Sequence, residues 1–310
     1  MVPAAELLPD VLPTDRLLAG GQPAPTIRAG LRRIANARNA WTVVFAWMQA
    51  AAVFAVAVAV DRWWIWPLAV VVMGRTFAQL AILAHEAAHR LLFASRTVND
   101  RVGRWLLAYP AFVPYDLYRR AHMAHHRDEL GPAEPDAGLY AGYPITRASF
   151  RRKLARDALG VSGWKNLRPL LKGALRPSTR RIALPILAVQ AVLLGGLWAA
   201  GWPQLYAVLW LVPWMTSWRV INRLRAIAEH GGMERSPDKR MTTHVIRQRL
   251  LARFWMVPYH TGWHLAHHVD PGVPWRALPR LHAELVDAGW LPDGLEWRSY
   301  SALWRAMRSA

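Results

Sequence analysis

Twelve histidines are spread over 310 residues, and most fall in clusters whose spacing suits a metal. His85 and His89 close the run His-Glu-Ala-Ala-His. His122, His125 and His126 form a His-x-x-His-His box, and His264, His267 and His268 repeat it, with His260 four residues ahead. His230 follows Glu229. Helical residues three and four apart share a face, so each box can aim its imidazoles at one region. Only His244 and His282 stand alone, and a lone histidine reads as a solvated or hydrogen-bonded structural residue. The nine clustered imidazoles exceed what one tetrahedral zinc takes, three or four ligands. Two metals with four or five imidazoles each would use them naturally. Imidazole suits zinc, copper, iron and nickel alike, so ligand type alone does not select the metal. The chain has no cysteine, which excludes disulfides, thiolate nucleophiles, cysteine-zinc sites and cysteine-ligated iron–sulfur clusters.

The elements that must carry these residues are apolar. Four runs stand out, at 41–60, 63–84, 182–200 and 204–222, each near the length that crosses a ~30 Å hydrocarbon core as a helix. Asp61 and Arg62 alone join the first two, and Gly201, Trp202 and Pro203 join the last two. They read as two transmembrane hairpins. Two polar pairs interrupt them, Arg75 with Gln79 and Arg219 with Asn222, and such residues face a bundle interior or a cavity. Helix–helix pairing and headgroup or substrate contact both remain open for them.

The formal charge is +19. No nucleic-acid motif accompanies it, so nucleic acid is not the expected partner. The arginines instead flank the apolar runs, including Arg28, Arg32, Arg33 and Arg38 before the first and Arg151, Arg152 and Lys153 in the long connection. By the positive-inside rule, the N-terminal segment 1–40, the connection 90–181 and the C-terminal segment 223–310 are cytosolic. Trp63, Trp64, Trp66 and Trp202 then fall in an outer aromatic belt. No signal-peptide pattern is visible at the start. With ~1.5 Å rise per residue, His85 lies roughly 30 Å along its helix from Trp64, near the inner edge of the bilayer. The expected fold is therefore an all-α integral membrane protein. A cytosolic helical cap carries the histidine boxes, and residues 41–310 form a single domain.

These residues resemble the membrane fatty acid desaturase and hydroxylase superfamily, which carries three histidine boxes on a four-helix anchor. The first box corresponds to His85 and His89, the second to His122, His125 and His126, and the third to His264, His267 and His268. A further family histidine near the end of the fourth helix matches His230. The stretch Val257-Pro258-Tyr259-His260 through His268, then Leu278-Pro279 and Leu281-His282, is similar to bacterial acyl-lipid desaturase-like members. The resemblance implies two iron ions on those nine histidines, O₂ as co-substrate and a double bond introduced into a lipid acyl chain. It also implies a bacterial inner-membrane location. One departure is visible. Stearoyl-type relatives carry an Asn, holding a metal-bound water, where this chain has Ala226. His260 is then a candidate additional ligand or supporting donor, as are Glu86 and Glu229.

Other chemistries fit parts of the pattern. Hydroxylation of an acyl or other lipophilic chain could use the same site. His85-Glu86-x-x-His89 also fits a membrane zinc protease, but leaves the other seven clustered histidines unused. No flavin, haem or iron–sulfur motif is present, so electrons are expected from an external carrier of ferredoxin-like type.

Overall fold

The computed structural model describes residues 1–308; Ser309 and Ala310, the end of the expected cytosolic segment, lie outside the described residues. The principal helices, in chain order, are α1 (Pro25–Leu31), α2 (Asn36–Val60), α3 (Ile65–Ala88), α4 (Arg96–Val102), α5 (Tyr115–Arg127), α6 (Val161–Ala174), α7 (Arg180–Ala199), α8 (Ser217–His230), α9 (Leu250–Trp255), α10 (His264–Val269) and α11 (Leu278–Asp287). Among the described residues the strand content is one parallel pair, β1 (Val245–Ile246) beside β2 (Glu296–Trp297). Two compact units emerge. One comprises Ala35–Arg119 and Arg151–Asn222; the other comprises Met1–Ile34, Arg120–Phe150 and Arg223–Ala310.

The first unit holds the apolar helices. Among the described residues, α2, α3 and α7 are long and apolar enough to cross a membrane, with mean hydropathies of 2.3, 1.6 and 2.0. They match the first three expected runs. Helix α2 ends where Asp61 turns left-handed (φ 37°) and its N–H bonds Ala57 O at 3.1 Å, a left-handed C-terminal stop. Trp41, Phe45 and Met48 of α2 and Val192 and Trp198 of α7 are largely exposed, which suits contact with lipid. Helix α3 is the most buried of the three. Its Arg75 donates to Gln79 on the next turn (2.8 Å) and to Gln49 of α2. That pair joins helix to helix.

The fourth expected run is broken. Residues Tyr206–Leu211 form a π-helical turn, Val212–Met215 a single α-turn, and Thr216 leaves helical geometry (φ −119°, ψ −88°) before α8 starts. Pro213 disturbs the turn before it, since proline removes a helical N–H and crowds the carbonyl four residues back, that of Leu209 in the π-helical turn. The break lets Ser217 donate to Val70 O of α3 (2.8 Å), where Gly74 leaves no room for a β-carbon against the serine. Nearby, the non-helical carbonyls of Tyr109, Pro110 and Ala111 are satisfied from elsewhere in the unit. Gln190 donates to Tyr109 O (2.7 Å), Trp210 to Pro110 O (3.2 Å) and Trp214 to Ala111 O (2.7 Å). Backbone that lacks water needs such partners.

The second unit packs α10 and α11 against an N-terminal strap. Leu17, Leu31, Leu265, Val269, Leu281 and Leu285 form its buried centre. Two ion pairs fasten the strap: Arg16 to Glu284 of α11, and Arg28 of α1 to Asp270, the residue that ends α10. Arg240 adds a hydrogen bond to Pro9 O (3.0 Å).

Candidate metal centre

Helix α5 carries the second histidine box, and its spacing acts as expected. His122 and His126, one turn apart, bring their Nε2 atoms to 3.0 Å. Helix α10 is only six residues long, yet it holds the whole third box. The chain enters it through a reversal in which Tyr259 and His260 are left-handed (φ 59° and 63°). His268 Nε2 approaches His264 Nε2 at 3.0 Å, and His264 Nε2 approaches His230 Nε2 at 3.1 Å. His267 Nε2 lies 3.0 Å from His126 Nε2. Seven predicted ligands of this unit, His122, His125, His126, His230, His264, His267 and His268, thus converge on one buried spot. Six of them form two neighbouring groups, and His264 stands beside His230 and His268. His125, His230 and His268 hold their ligand atoms within 4.8 Å of one another, and so do His122, His126 and His267.

The outer ring nitrogens show what the inner ones are for. His125 Nδ1 donates to Glu134 (2.9 Å), His268 Nδ1 to Glu129 (2.7 Å), and His230 Nδ1 to the Thr242 carbonyl (2.9 Å). A neutral imidazole that donates from Nδ1 presents a bare lone pair at Nε2. Two such lone pairs cannot sit 3 Å apart in a dry interior without a cation between them or a proton shared. Burial opposes protonation. It pushes His230 down to about 3 and holds His264 and His268 well below their ordinary value. Closely spaced Nε2 atoms, with carboxylates orienting His125 and His268 and a carbonyl orienting His230 from behind, are the donor chemistry of a histidine metal site, and the residues fit bound metal.

His125 differs electrostatically. Burial works against its charge, but the hydrogen bond and charge of Glu134 prevail and raise it. Burial likewise opposes the charge of Glu134, yet the His125 bond holds its carboxyl at about 2. The Glu134 oxygens also accept the backbone N–H groups of Leu130 and Asp136, both at 3.1 Å. Glu129 is held from three sides, accepting from His268, from Lys239 Nζ (2.6 Å) and from the Thr242 hydroxyl (2.5 Å). Sequence reasoning missed Glu129, Glu134 and Lys239. The acids just after the second box were the available signal.

In the other unit, His85 and His89 end α3 with ring centroids 4.8 Å apart. Their turn is well fixed. Asn99 donates to Ala87 O (2.8 Å) and accepts the N–H groups of Leu92 and Phe93. Tyr115 donates to Ala87 O and Arg119 to Ala88 O, both at 2.8 Å. The terminal carbonyls of a helix otherwise lack partners. Glu86 is buried on the same turn.

The remaining histidines separate cleanly. His260 lies against Trp263 and Trp275, with its Nδ1 3.4 Å from Arg253, and not among the seven. His244 is a buried structural residue bonded to Gly231 O (2.7 Å). Glu229 pairs with Arg225 (3.2 Å) and stands 3.6 Å from His264 Nδ1, so it borders the cluster.

Membrane-length helices together with a buried polyhistidine centre define a membrane-bound metalloprotein. The chain belongs to the fatty acid desaturase family, whose profile matches residues 61–301. It is 28% identical over 254 residues to the dihydrorhizobitoxine desaturase of Bradyrhizobium elkanii, covering 76% of this chain and 72% of that protein. It is 32% identical over 115 residues to a probable fatty acid desaturase of Sorghum bicolor, covering 37% of this chain and 28% of the relative. A ferredoxin-type sn-1 acyl-lipid omega-3 desaturase of Nostoc is 29% identical over 98 residues, 32% of this chain and 26% of the relative. The chain thus spans most of the first relative's length and under a third of the other two. An oxidoreductase of the desaturase type, with iron as the family's metal, follows from this membership.

Proposed function

We propose that the protein is an O₂-dependent di-iron desaturase that introduces a double bond into the acyl chain of a lipid. The observation that carries the proposal is the convergence of seven imidazoles, three of which (His125, His268 and His230) donate outward from Nδ1, while the Nε2 atoms of His122, His126, His230, His264, His267 and His268 approach one another at 3.0–3.1 Å. His85 and His89 complete the nine ligands in this reading, and His260 does not take part. When bound, the iron pair supplies with O₂ the oxidising power to attack an unactivated C–H bond. The overall balance removes two hydrogens from adjacent carbons, consumes one O₂, two electrons and two protons, and yields two waters. The chain's own residues do the rest. Glu134 and Glu129 keep the protons of His125 and His268 on Nδ1, so their Nε2 lone pairs stay directed at the metal. Lys239 offsets the charge that Glu129 brings into the interior. Burial of the cluster excludes water, which would otherwise divert the oxidant.

In the same reading, residues 41–310 act as one catalytic domain after the N-terminal segment 1–40. The broken fourth run crosses the bilayer with α2, α3 and α7, which makes the chain multi-pass in a bacterial inner membrane. Both termini and the site face the cytosol. The substrate enters from the bilayer, and a ferredoxin-like carrier delivers the electrons. Support for the carrier comes from the Nostoc relative, whose name specifies ferredoxin, and from the +19 charge.

The test is mass spectrometry of cells with and without expression. A lipid lighter by about two mass units establishes desaturation, and one heavier by about sixteen replaces it with hydroxylation. A new product confined to the aqueous extract would replace the lipid with a water-soluble substrate; the Bradyrhizobium relative is named for dihydrorhizobitoxine and not for a fatty acid. His267→Ala and His125→Ala should abolish the product while the protein remains in the membrane fraction. Full activity in either would refute the ligand assignment.

A further inference from the structure

Helix α9 sits in the unit that holds the seven converging histidines, nine residues before His264. Its face is unusual. Leu250 is 81% exposed and Leu251 72%, and Phe254, four residues after Leu250, is about half-exposed. At 100° per residue these three fall within one arc of about 100°, and Arg253 lies about 60° beyond its Leu250 edge; Arg249 is the extended residue that caps the helix. Arg247, ahead of the helix, is already paired with Glu296 (2.9 Å). No residue of α9 is buried, so the helix is not held in place by a core beneath it. Two adjacent leucines offered to solvent are a cost that a folded surface rarely carries without a cover.

We infer that α9 is an interfacial anchor, with Leu250 and Leu251 inserted among the acyl chains of an anionic bilayer and Arg249 and Arg253 at the phosphates. Charge decides the occupant. A short apolar arc rimmed by arginines complements a surface that is anionic outside and hydrocarbon within, which is how amphipathic helices bind membranes. An acidic carrier protein would satisfy the arginines but would leave a purely aliphatic Leu-Leu pair without matching chemistry. The chain between the anchor and His264 is short, and it holds the left-handed pair Tyr259 and His260. Arg253 reaches His260 Nδ1 (3.4 Å) and lies over the Trp263 ring (5.5 Å). The anchor therefore fixes the depth at which the third histidine box meets the membrane. The inference needs a membrane-embedded chain but neither iron nor turnover.

The absence of cysteine makes the experiment clean. Leu250→Cys and Leu251→Cys, with Ser301→Cys as an exposed polar control in the same unit, are labelled with an environment-sensitive fluorophore. The iron-free full chain is then placed in nanodiscs rich in phosphatidylglycerol. Probes at 250 and 251 should emit blue-shifted light, resist aqueous iodide and be quenched by lipids spin-labelled just below the headgroup. The probe at 301 should do none of these. Iodide quenching at 250 and 251 equal to that at 301 would overturn the inference. So would protection that appears only as protein concentration rises, or only when an acidic carrier is added, because the cover would then be a second copy or the carrier. Failure here leaves the lipid-product test of the enzymatic reading untouched.

Discussion

Replacing Glu134 with Gln should weaken iron binding without unfolding the protein. The carboxylate is almost fully buried, and its Oε2 receives both His125 Nδ1–H (2.9 Å) and the N–H of Leu130 (3.1 Å), while Oε1 receives the N–H of Asp136 (3.1 Å). All three partners are donors. An amide has one oxygen, so its NH₂ must face either Asp136 N–H or the pair at Oε2, and a donor meets a donor either way. A carboxyl held at about 2 rather than near 4.5 reports roughly 3 kcal/mol of preference for the ionised, bonded form. Part of that is attraction to a charged His125, which disappears once the ring is neutral and bound to metal. A hydrogen bond to a charged acceptor is worth about 1.5–3 kcal/mol. The expected loss is therefore about 1–3 kcal/mol, or about 10- to 100-fold in metal affinity, the range found when partners of ligating histidines are removed. The assay is iron content by mass spectrometry after dialysis against graded chelator, with circular dichroism of the iron-free protein as the fold control. Iron retention within about twofold of wild type, together with a loss of stability in the iron-free protein, would refute the reasoning. The Glu134–His125 pair would then be structural.

Three other outcomes follow from the same geometry. Burial holds His244 at about 4, below its ordinary 6.5, so the folded state prefers the neutral ring. That stability is complete above pH 6.5 and lost as pH falls toward 4, because the unfolded chain takes up its proton first. The unfolding midpoint of iron-free protein should drop across that window, with His244 contributing at most about 3 kcal/mol; His244→Gln should flatten part of the slope, and a slope unchanged by the substitution would count against it. Asn99→Ala strands Leu92 N–H and Phe93 N–H in the interior and should cost about 2–6 kcal/mol at about 1–3 per unsatisfied group, read as a lower thermal midpoint. Gly163→Ala would set a β-carbon 2.5 Å from Met215 Cα and O. Backbone cannot yield cheaply there, so the variant should express poorly or melt well below wild type, and a wild-type midpoint would show that α6 can shift.

Much of the site was legible because its information is local. Histidines three and four apart must share a helical face, so the boxes could be recognised before any fold was known. Membrane-length runs are also local, and α2, α3 and α7 appear where composition put them. The fourth run shows where that logic stops. Its hydropathy was sufficient, but Pro213 and the close approach of Ser217 to α3 divide it into short pieces, and packing of that kind is invisible in a hydropathy profile.

The amino-acid sequence by itself determined which side chains can bind metal, that no thiol competes with them, and which segments are apolar enough for a bilayer. Tertiary structure decided how the rings are oriented and which ones meet. Glu129 lies 139 residues from His268, and His267 lies 141 residues from His126. No periodicity links positions so far apart. It also decided that His260, only four residues before His264, faces tryptophans instead of the cluster, because two left-handed residues turn the chain just before α10 begins. Spacing along a helix is fixed by the backbone, but which lone pair faces which depends on hydrogen bonds that exist only once distant segments have packed.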